Sequence, residues 1–279
     1  MIDSHQHFWQ YCPEDYDWID DDMAVIRRDF TPEDLRATSS QLGVTGSVAV
    51  QARQTLGESQ WLLDLAAGDN FIRGVVGWVP LAESSVADDI AALAANPTFK
   101  GVRHVVQGES DPEFLARPAF NQGIREVTRL DLVYDILITA PQLPASIAFV
   151  DRHPAQRFVL DHIAKPVIGA EGPPSAWCAQ IAQLAERPNV SCKFSGLVTE
   201  VDGELWDEEL LRPYWEVVLE AFGPDRLMFG SDWPVCLVRS EYARWLEFVQ
   251  SVASDLSRSE QERVLGGTAK AVYRLVDVD

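Results

Sequence analysis

Short apolar runs recur along this chain, and the stretches between them carry apolar residues at helical spacing. Eight such runs predict strands: Ile2 to His5, Val44 to Gln51, Ile72 to Val79, Lys100 to Val105, Leu132 to Ile138, Arg157 to His162, Val190 to Ser195 and Arg226 to Ser231. Helices are predicted between them at Gly57 to Ala67, Val86 to Asn96, Ala119 to Leu130, Ser175 to Glu186, Glu208 to Phe222 and Tyr242 to Leu256. One more starts at Thr31, where a capping hydroxyl, Pro32 and the acids Glu33 and Asp34 make a helical first turn. The stretch GAEGPP at 169–174 reads as a loop after the sixth strand. Strands that are nearly all apolar are buried on both faces, and such strands alternating with helices make a parallel sheet. The expected fold is therefore an α/β protein of the (β/α)₈ (TIM) barrel type, a single domain over 1–279, with an open doubly wound sheet as the alternative.

Composition narrows the class of partner. Hydrophobic residues are 47% of the chain and charged ones 24%, the balance of a globular protein with a large core. A formal charge of −20 repels nucleic acid and anionic membrane surfaces, so neither is an expected partner. No run approaches the roughly 18 apolar residues of a membrane span. The start carries acid and histidine where a signal peptide carries basic residues, so a cytoplasmic location is expected. Cys12, Cys178, Cys192 and Cys236 lack paired spacing and suggest neither a disulfide framework nor a thiolate metal site.

The chemistry collects at the predicted strand ends, where a barrel builds its active site. Side chains alternate along a strand, so His5 and His7 share a face and can grip one ion; the alternative is two hydrogen-bonded histidines in a hairpin. His104 ends the fourth strand and His162 the sixth, while His153 before Pro154 looks like a helix-end residue. In LMFGSDWP, Gly230 and Asp232 share a parity that brings the carboxylate to the barrel mouth, unless Asp232 is only a turn or cap residue. Histidines with one carboxylate suit a divalent ion, zinc first and manganese behind it, with a position open for water. Asp232 is then placed to take a proton from water and deliver it to a leaving oxygen. Lys193 in CKFSG must contact something negative or point outward toward a helix acid. Without metal, Lys193, Arg103 and His104 could act there as hydrogen-bond donors.

HQHFW, KGVRH, LDHIAKP, KFSGL and FGSDWP, taken in order, resemble the amidohydrolase superfamily, in the metal-dependent hydrolase branch that contains lactonases for sugars such as L-fucono- and L-rhamnono-lactone. The resemblance covers essentially the whole chain. It implies His5, His7, His162 and Asp232 as ligands of one divalent metal, and hydrolysis of a cyclic sugar ester to the aldonic acid. The fifth strand, LVYDILI, lacks the histidine that binuclear members use, so at most one tightly held ion is expected.

A reactive ester needs only activated water and a polarised carbonyl. Gln51, Arg53, Arg103, His104 and Lys193 are expected at the mouth as bonding groups for several hydroxyls, with His162 binding metal or donating to substrate. Trp9, Trp78 and Trp233 could stack on a sugar or aromatic ring, or serve the core. A short loop after the first strand and proline-bounded turns after the sixth and eighth suggest a closed pocket for a single small sugar lactone. The competing readings are a zinc-dependent nonoxidative decarboxylase of the same branch and a catalytically silent sugar-binding barrel.

Overall fold

A computed structural model of the chain describes residues 1–203 and 205–276. The expected domain runs to 279, so residues 277–279 of that boundary lie outside the described part. Eight parallel strands pair in sequence order: β1 (Ile2–Gln6), β2 (Gly46–Val50), β3 (Ile72–Gly77), β4 (Phe99–Val105), β5 (Val133–Leu137), β6 (Arg157–Leu160), β7 (Val190–Phe194) and β8 (Leu227–Phe229). Past the end of the ladder, Gln6 bridges Trp233 in parallel. The Asp232 N–H donates to the His5 carbonyl at 2.8 Å and the His7 N–H to the Trp233 carbonyl at 2.7 Å, bringing the β8 end onto β1. This is the (β/α)₈ barrel and not the open sheet.

Helices α1 (Pro32–Ser39), α2 (Leu56–Gly68), α3 (Val86–Ala94), α4 (Pro118–Arg129), α5 (Leu143–Arg152), α6 (Ser175–Ala185), α7 (Glu208–Phe222) and α8 (Tyr242–Ala253) surround it, followed by α9 (Arg258–Glu262) and α10 (Thr268–Tyr273). The Thr31 side chain caps α1 in a capping box with Asp34. The sequence reading did not single out α5: Pro144 looks like a breaker there, yet it sits in the first turn, where a missing N–H costs nothing. The loop after β1 is long where a short one was expected. Residues 7–31 run from the strand to α1 and carry a short helix, Asp21–Ile26.

Alternation along the strands divides the core in two. Ala49, Val75, Val102 and Ile136 face outward into the layer shared with the helices, whereas Val48, Val50, Val76, Val133, Val159 and Met228 cluster with Ile2 and Tyr273 inside the barrel. The next inward layer is ionic. Lys193 Nζ lies 2.5 Å from Asp135 Oδ2 and 3.0 Å from Asp161 Oδ1, all fully buried, and the Tyr273 hydroxyl of α10 donates to Asp135 at 2.9 Å. Asp161 in turn accepts from Arg103 at 3.1 Å.

Tyr273→Phe removes one hydrogen bond from a buried carboxylate and changes nothing else in shape. Urea unfolding is expected to show a loss of about 1.5–3 kcal/mol, the range for bonds to charged groups; an unchanged midpoint would mean that Lys193 alone satisfies Asp135.

Candidate active site

The end of β1 delivers two imidazoles to one point: His5 and His7 bring their Nε2 atoms within 3.2 Å of each other. The His7 Nδ1–H donates to the Val50 carbonyl at 2.7 Å, which leaves Nε2 with its lone pair toward the barrel mouth. Asp232 and His162 arrive by a different route from the one their sequence suggested. β8 stops at Phe229 and β6 at Leu160, and both residues sit in left-handed backbone, with φ of 58° and 52°. Strand parity therefore does not aim them; two turns in a conformation rare for non-glycine residues do. Asp232 Oδ1 ends 3.3 Å from His7 Nε2, 3.7 Å from His5 Nε2 and 3.9 Å from His162 Nε2.

Gly196, at φ 69°, makes room for this cluster. A Cβ there would stand 2.4 Å from His162 Nδ1 and 3.1 Å from Asp232 Oδ2. The neighbouring Ser195 hydroxyl lies 2.9 Å from the same Nδ1 and fixes the ring. Burial lowers the pKa of all three imidazoles, His162 to about 4, so they stand neutral with lone pairs available. Burial would raise the carboxyl of Asp232, but the facing His162, His7 and His5 hold it well below the usual carboxylate range.

This donor set fits a divalent ion. Tetrahedral zinc with bonds of about 2.0–2.1 Å holds its ligand atoms about 3.3 Å apart, and the Nε2 and Oδ1 separations among His5, His7 and Asp232, 3.2, 3.3 and 3.7 Å, bracket that spacing, while His162 Nε2 stands beside the group, 3.9 Å from Asp232 Oδ1. Asp161, one residue before His162, went unnoticed in the sequence. It lies 3.4 Å from His5 Nδ1 and forms a second possible ligand group with His5 and His162. The signal was there: a carboxylate ending the apolar run RFVL has no reason to be buried without a partner.

A cleft of about 660 Å³ opens above the cluster. His7, His162, Asp232 and Arg103 line its floor, and Arg53, Trp18, Lys165 and Glu200 are among its walls. Several of the expected site residues do not line it, His5 among them, which lies buried beneath the floor. Adjacent strand residues face opposite ways, so with Arg103 inward, His104 faces the helices, stacks on Phe114 at 4.8 Å and bonds Glu109 at 2.7 Å. Trp78 donates to that same His104 at 3.3 Å. Gln51 accepts from Arg103 through its carbonyl and its Oε1 and so acts as a brace. Lys193 neither reaches the cleft nor points outward; it sits beneath His5, 3.1 Å from Nδ1. Trp233 packs edge-on against Phe30 and Phe8, at 5.1 and 6.2 Å, and Trp9 is buried with it, so both serve the core. The tryptophan at the cleft is Trp18, on the long loop after β1.

The amidohydrolase family model matches residues 2–275. An L-fucono-1,5-lactonase from Burkholderia ambifaria is 39% identical over 278 residues, covering 98% of this chain and 95% of that protein. A crystal structure of an amidohydrolase from Burkholderia multivorans with bound zinc is 39% identical, with a TM-score of 0.95 over 99% of each chain. A 5-carboxyvanillate decarboxylase from Sphingomonas paucimobilis reaches a TM-score of 0.67 over 99% of each chain at 14% identity, a likeness of fold alone.

The cleft wall carries a titrating group of its own. Glu58 accepts from the N–H groups of Ala52 and Arg53 at 3.1 and 2.8 Å and so holds the loop that bears Arg53, while burial pushes its carboxyl from 4.5 up to about 7. The folded state keeps this proton where the unfolded chain has lost it, so stability falls as pH rises from about 4.5 to about 7, by up to about 3 kcal/mol. Glu58→Gln is expected to flatten that slope. Urea unfolding of both proteins at about pH 5 and pH 8 checks this, and parallel pH dependences would refute it.

Proposed function

This chain belongs to the amidohydrolase family, and we propose that it hydrolyses a sugar lactone, of the L-fucono type, to the free aldonic acid. The observation that carries this reading is the convergence of the His5 and His7 imidazoles and the ionised Asp232 carboxylate, 3.2–3.7 Å apart, with the His162 ring 3.9 Å from that carboxylate, beneath a polar cleft. The relative at 39% identity supplies the sugar, and L-rhamnono-lactone is the neighbouring choice.

His5, His7 and Asp232, with His162 beside them, would hold one divalent ion, zinc. When bound it supplies a Lewis acid that polarises the ester carbonyl and acidifies water. Asp232 turns Oδ1 toward the imidazoles, which leaves Oδ2 to take the proton from the attacking water. As the carbonyl carbon gains the water oxygen and the ring C–O bond breaks, the same carboxyl returns that proton to the departing ring oxygen. Arg103, held by Asp161 and Gln51, presents a fixed positive charge at the floor where negative charge develops on the carbonyl oxygen. Asp161 and Lys193 position His5 from below without touching substrate. A decarboxylase of an aromatic acid would want a largely apolar wall; Arg53, Lys165, Thr199 and Glu200 suit hydroxyls instead. A cytoplasmic setting belongs to the same proposal, supported by four unpaired cysteines.

Steady-state proton release on freshly prepared aldonolactones at mildly acidic pH tests the reading. L-Fucono-1,5-lactone is expected to react far faster than unsubstituted δ-valerolactone. Equal rates, or release of carbon dioxide from aromatic acids with no lactone turnover, would overturn the assignment.

Asp232→Asn keeps the size of the side chain and removes the basic oxygen. Turnover is expected to fall at least about a hundredfold in a protein with unaltered thermal unfolding. A rate within a few-fold of the parent would pass the proton-transfer role to another group.

A further inference from the structure

Four consecutive residues after β6, His162, Ile163, Ala164 and Lys165, have φ of 52°, 49°, 63° and 46°. None is glycine and one is β-branched, so each position works against the steric preference for negative φ. Such a run persists only where the surrounding structure holds it. It buries Ile163 and Ala164 while bringing both His162 and Lys165 to the cleft. The Ile163 carbonyl, pinned by the Trp177 indole N–H at 2.9 Å, anchors the middle of the turn.

Across the cleft wall, Lys165 Nζ lies 3.4 Å from Glu200 Oε1, on the loop after β7 beside Thr199. As a fastener this ion pair is redundant. The two loops are already joined by backbone bonds, from the Ile168 N–H to the Glu200 carbonyl at 3.0 Å and from the Asp202 N–H to the Ile168 carbonyl at 2.8 Å. A part-exposed lysine–glutamate pair adds at most about 1 kcal/mol to that. The other ion pair at the cleft is engaged otherwise: Arg53 bonds Asp15 at 2.6 Å and lies over the Tyr16 ring. Lys165 and Glu200 approach each other without such a bond, so their donors and acceptors remain to be filled.

An ammonium and a carboxylate at this spacing match two adjacent ring hydroxyls, which also stand about one hydrogen-bond length apart. We propose that Lys165 and Glu200 form a clamp for a vicinal diol of the substrate. The ammonium donates to one hydroxyl oxygen while the carboxylate accepts the proton of its neighbour. The clamp rests on the lactonase reading above and extends it to the residues that choose among stereoisomeric lactones. Strain in the turn is then the cost of placing His162 and a specificity group three residues apart on the same wall.

The test uses full-length Lys165→Met, which keeps the length of the stem, and Glu200→Gln, which keeps the shape of the acid, together with the double variant. Each is assayed on L-fucono-1,5-lactone and on analogues lacking one ring hydroxyl or all of them. Each single variant is expected to lose about a hundredfold in kcat/KM on the full sugar lactone, chiefly through KM, because a polar site left unpaired discriminates strongly. On the analogue without the diol, parent and variants are expected to agree within about threefold. The double variant is expected to lose no more than either single variant, as for groups that act on one feature. Equal losses on both substrates would make the pair structural, and no loss on the sugar lactone would make it a bystander; either overturns the clamp while leaving the lactonase reading intact. A parent that opens no lactone overturns both.

Discussion

A stack of alternating charge along the barrel axis is the constraint on which the rest of the site depends. From the closed end upward it runs Tyr273, Asp135, Lys193, Asp161, Arg103, and it meets the ligand group at His5. Two carboxylates and two cations cancel, which is what allows ionic groups in a place where a lone charge would cost several kcal/mol. Burial raises the carboxyl of Asp135 in spite of Lys193, whereas Lys193, His5 and Arg103 outweigh burial at Asp161 and hold it well below the usual range. Removing Asp161 would take the carboxylate from Arg103, and removing Asp135 would leave Lys193 and Arg103 to share one. The stack also explains why Lys193 is intolerant of an outward rotamer: its partners are all inside the barrel.

Above that rigid base, the reacting groups are aimed by backbone that departs from the strand ladder. His162 and Asp232 are both left-handed, and Gly196 leaves the space in which their side chains meet. Side chains from three strand ends thus meet at the mouth, with the His5 carbonyl accepting from the Asp232 N–H to tie two of those ends together. Preorganisation of this kind suits a reaction in which charge must be met as it develops, with little movement of the protein.

The barrel and the first-strand pair were legible in the sequence because both rest on a period of two. His5 and His7 share a face for the same reason that Val48 and Val50 do, and eight apolar runs separated by helical stretches leave few other ways to bury themselves. What parity could not supply was the behaviour of the chain after each strand ended. Asp232 was expected at the mouth and lies there, but beyond β8 and through a turn. Parity misled at β4, where His104 drew attention and the adjacent Arg103 took the inward position that excludes it. Lys193 in an apolar strand needs a negative partner, and Asp135 supplies it from the middle of the fifth strand, a pairing across the barrel that no local pattern encodes. Trp233 and Trp78 looked like stacking surfaces because indoles suit sugars, a chemical preference that says nothing of direction. Trp18 belongs to a loop whose course no local pattern encodes.

The division between strand ends and loops has a consequence for specificity. The ligand group and Arg103 are held by the barrel and by the ionic stack below, so exchanging a loop residue leaves their geometry in place. Arg53, Trp18, Lys165 and Glu200 stand on the loops after β2, β1, β6 and β7 and help set the shape and polarity of the wall. Loops on a rigid scaffold can therefore retune which lactone enters without touching how it is opened. The turn at His162 to Lys165 is the exception, since one strained segment carries both a member of the imidazole cluster and a wall residue. A change there couples the two functions, whereas changes at Arg53 or Trp18 do not.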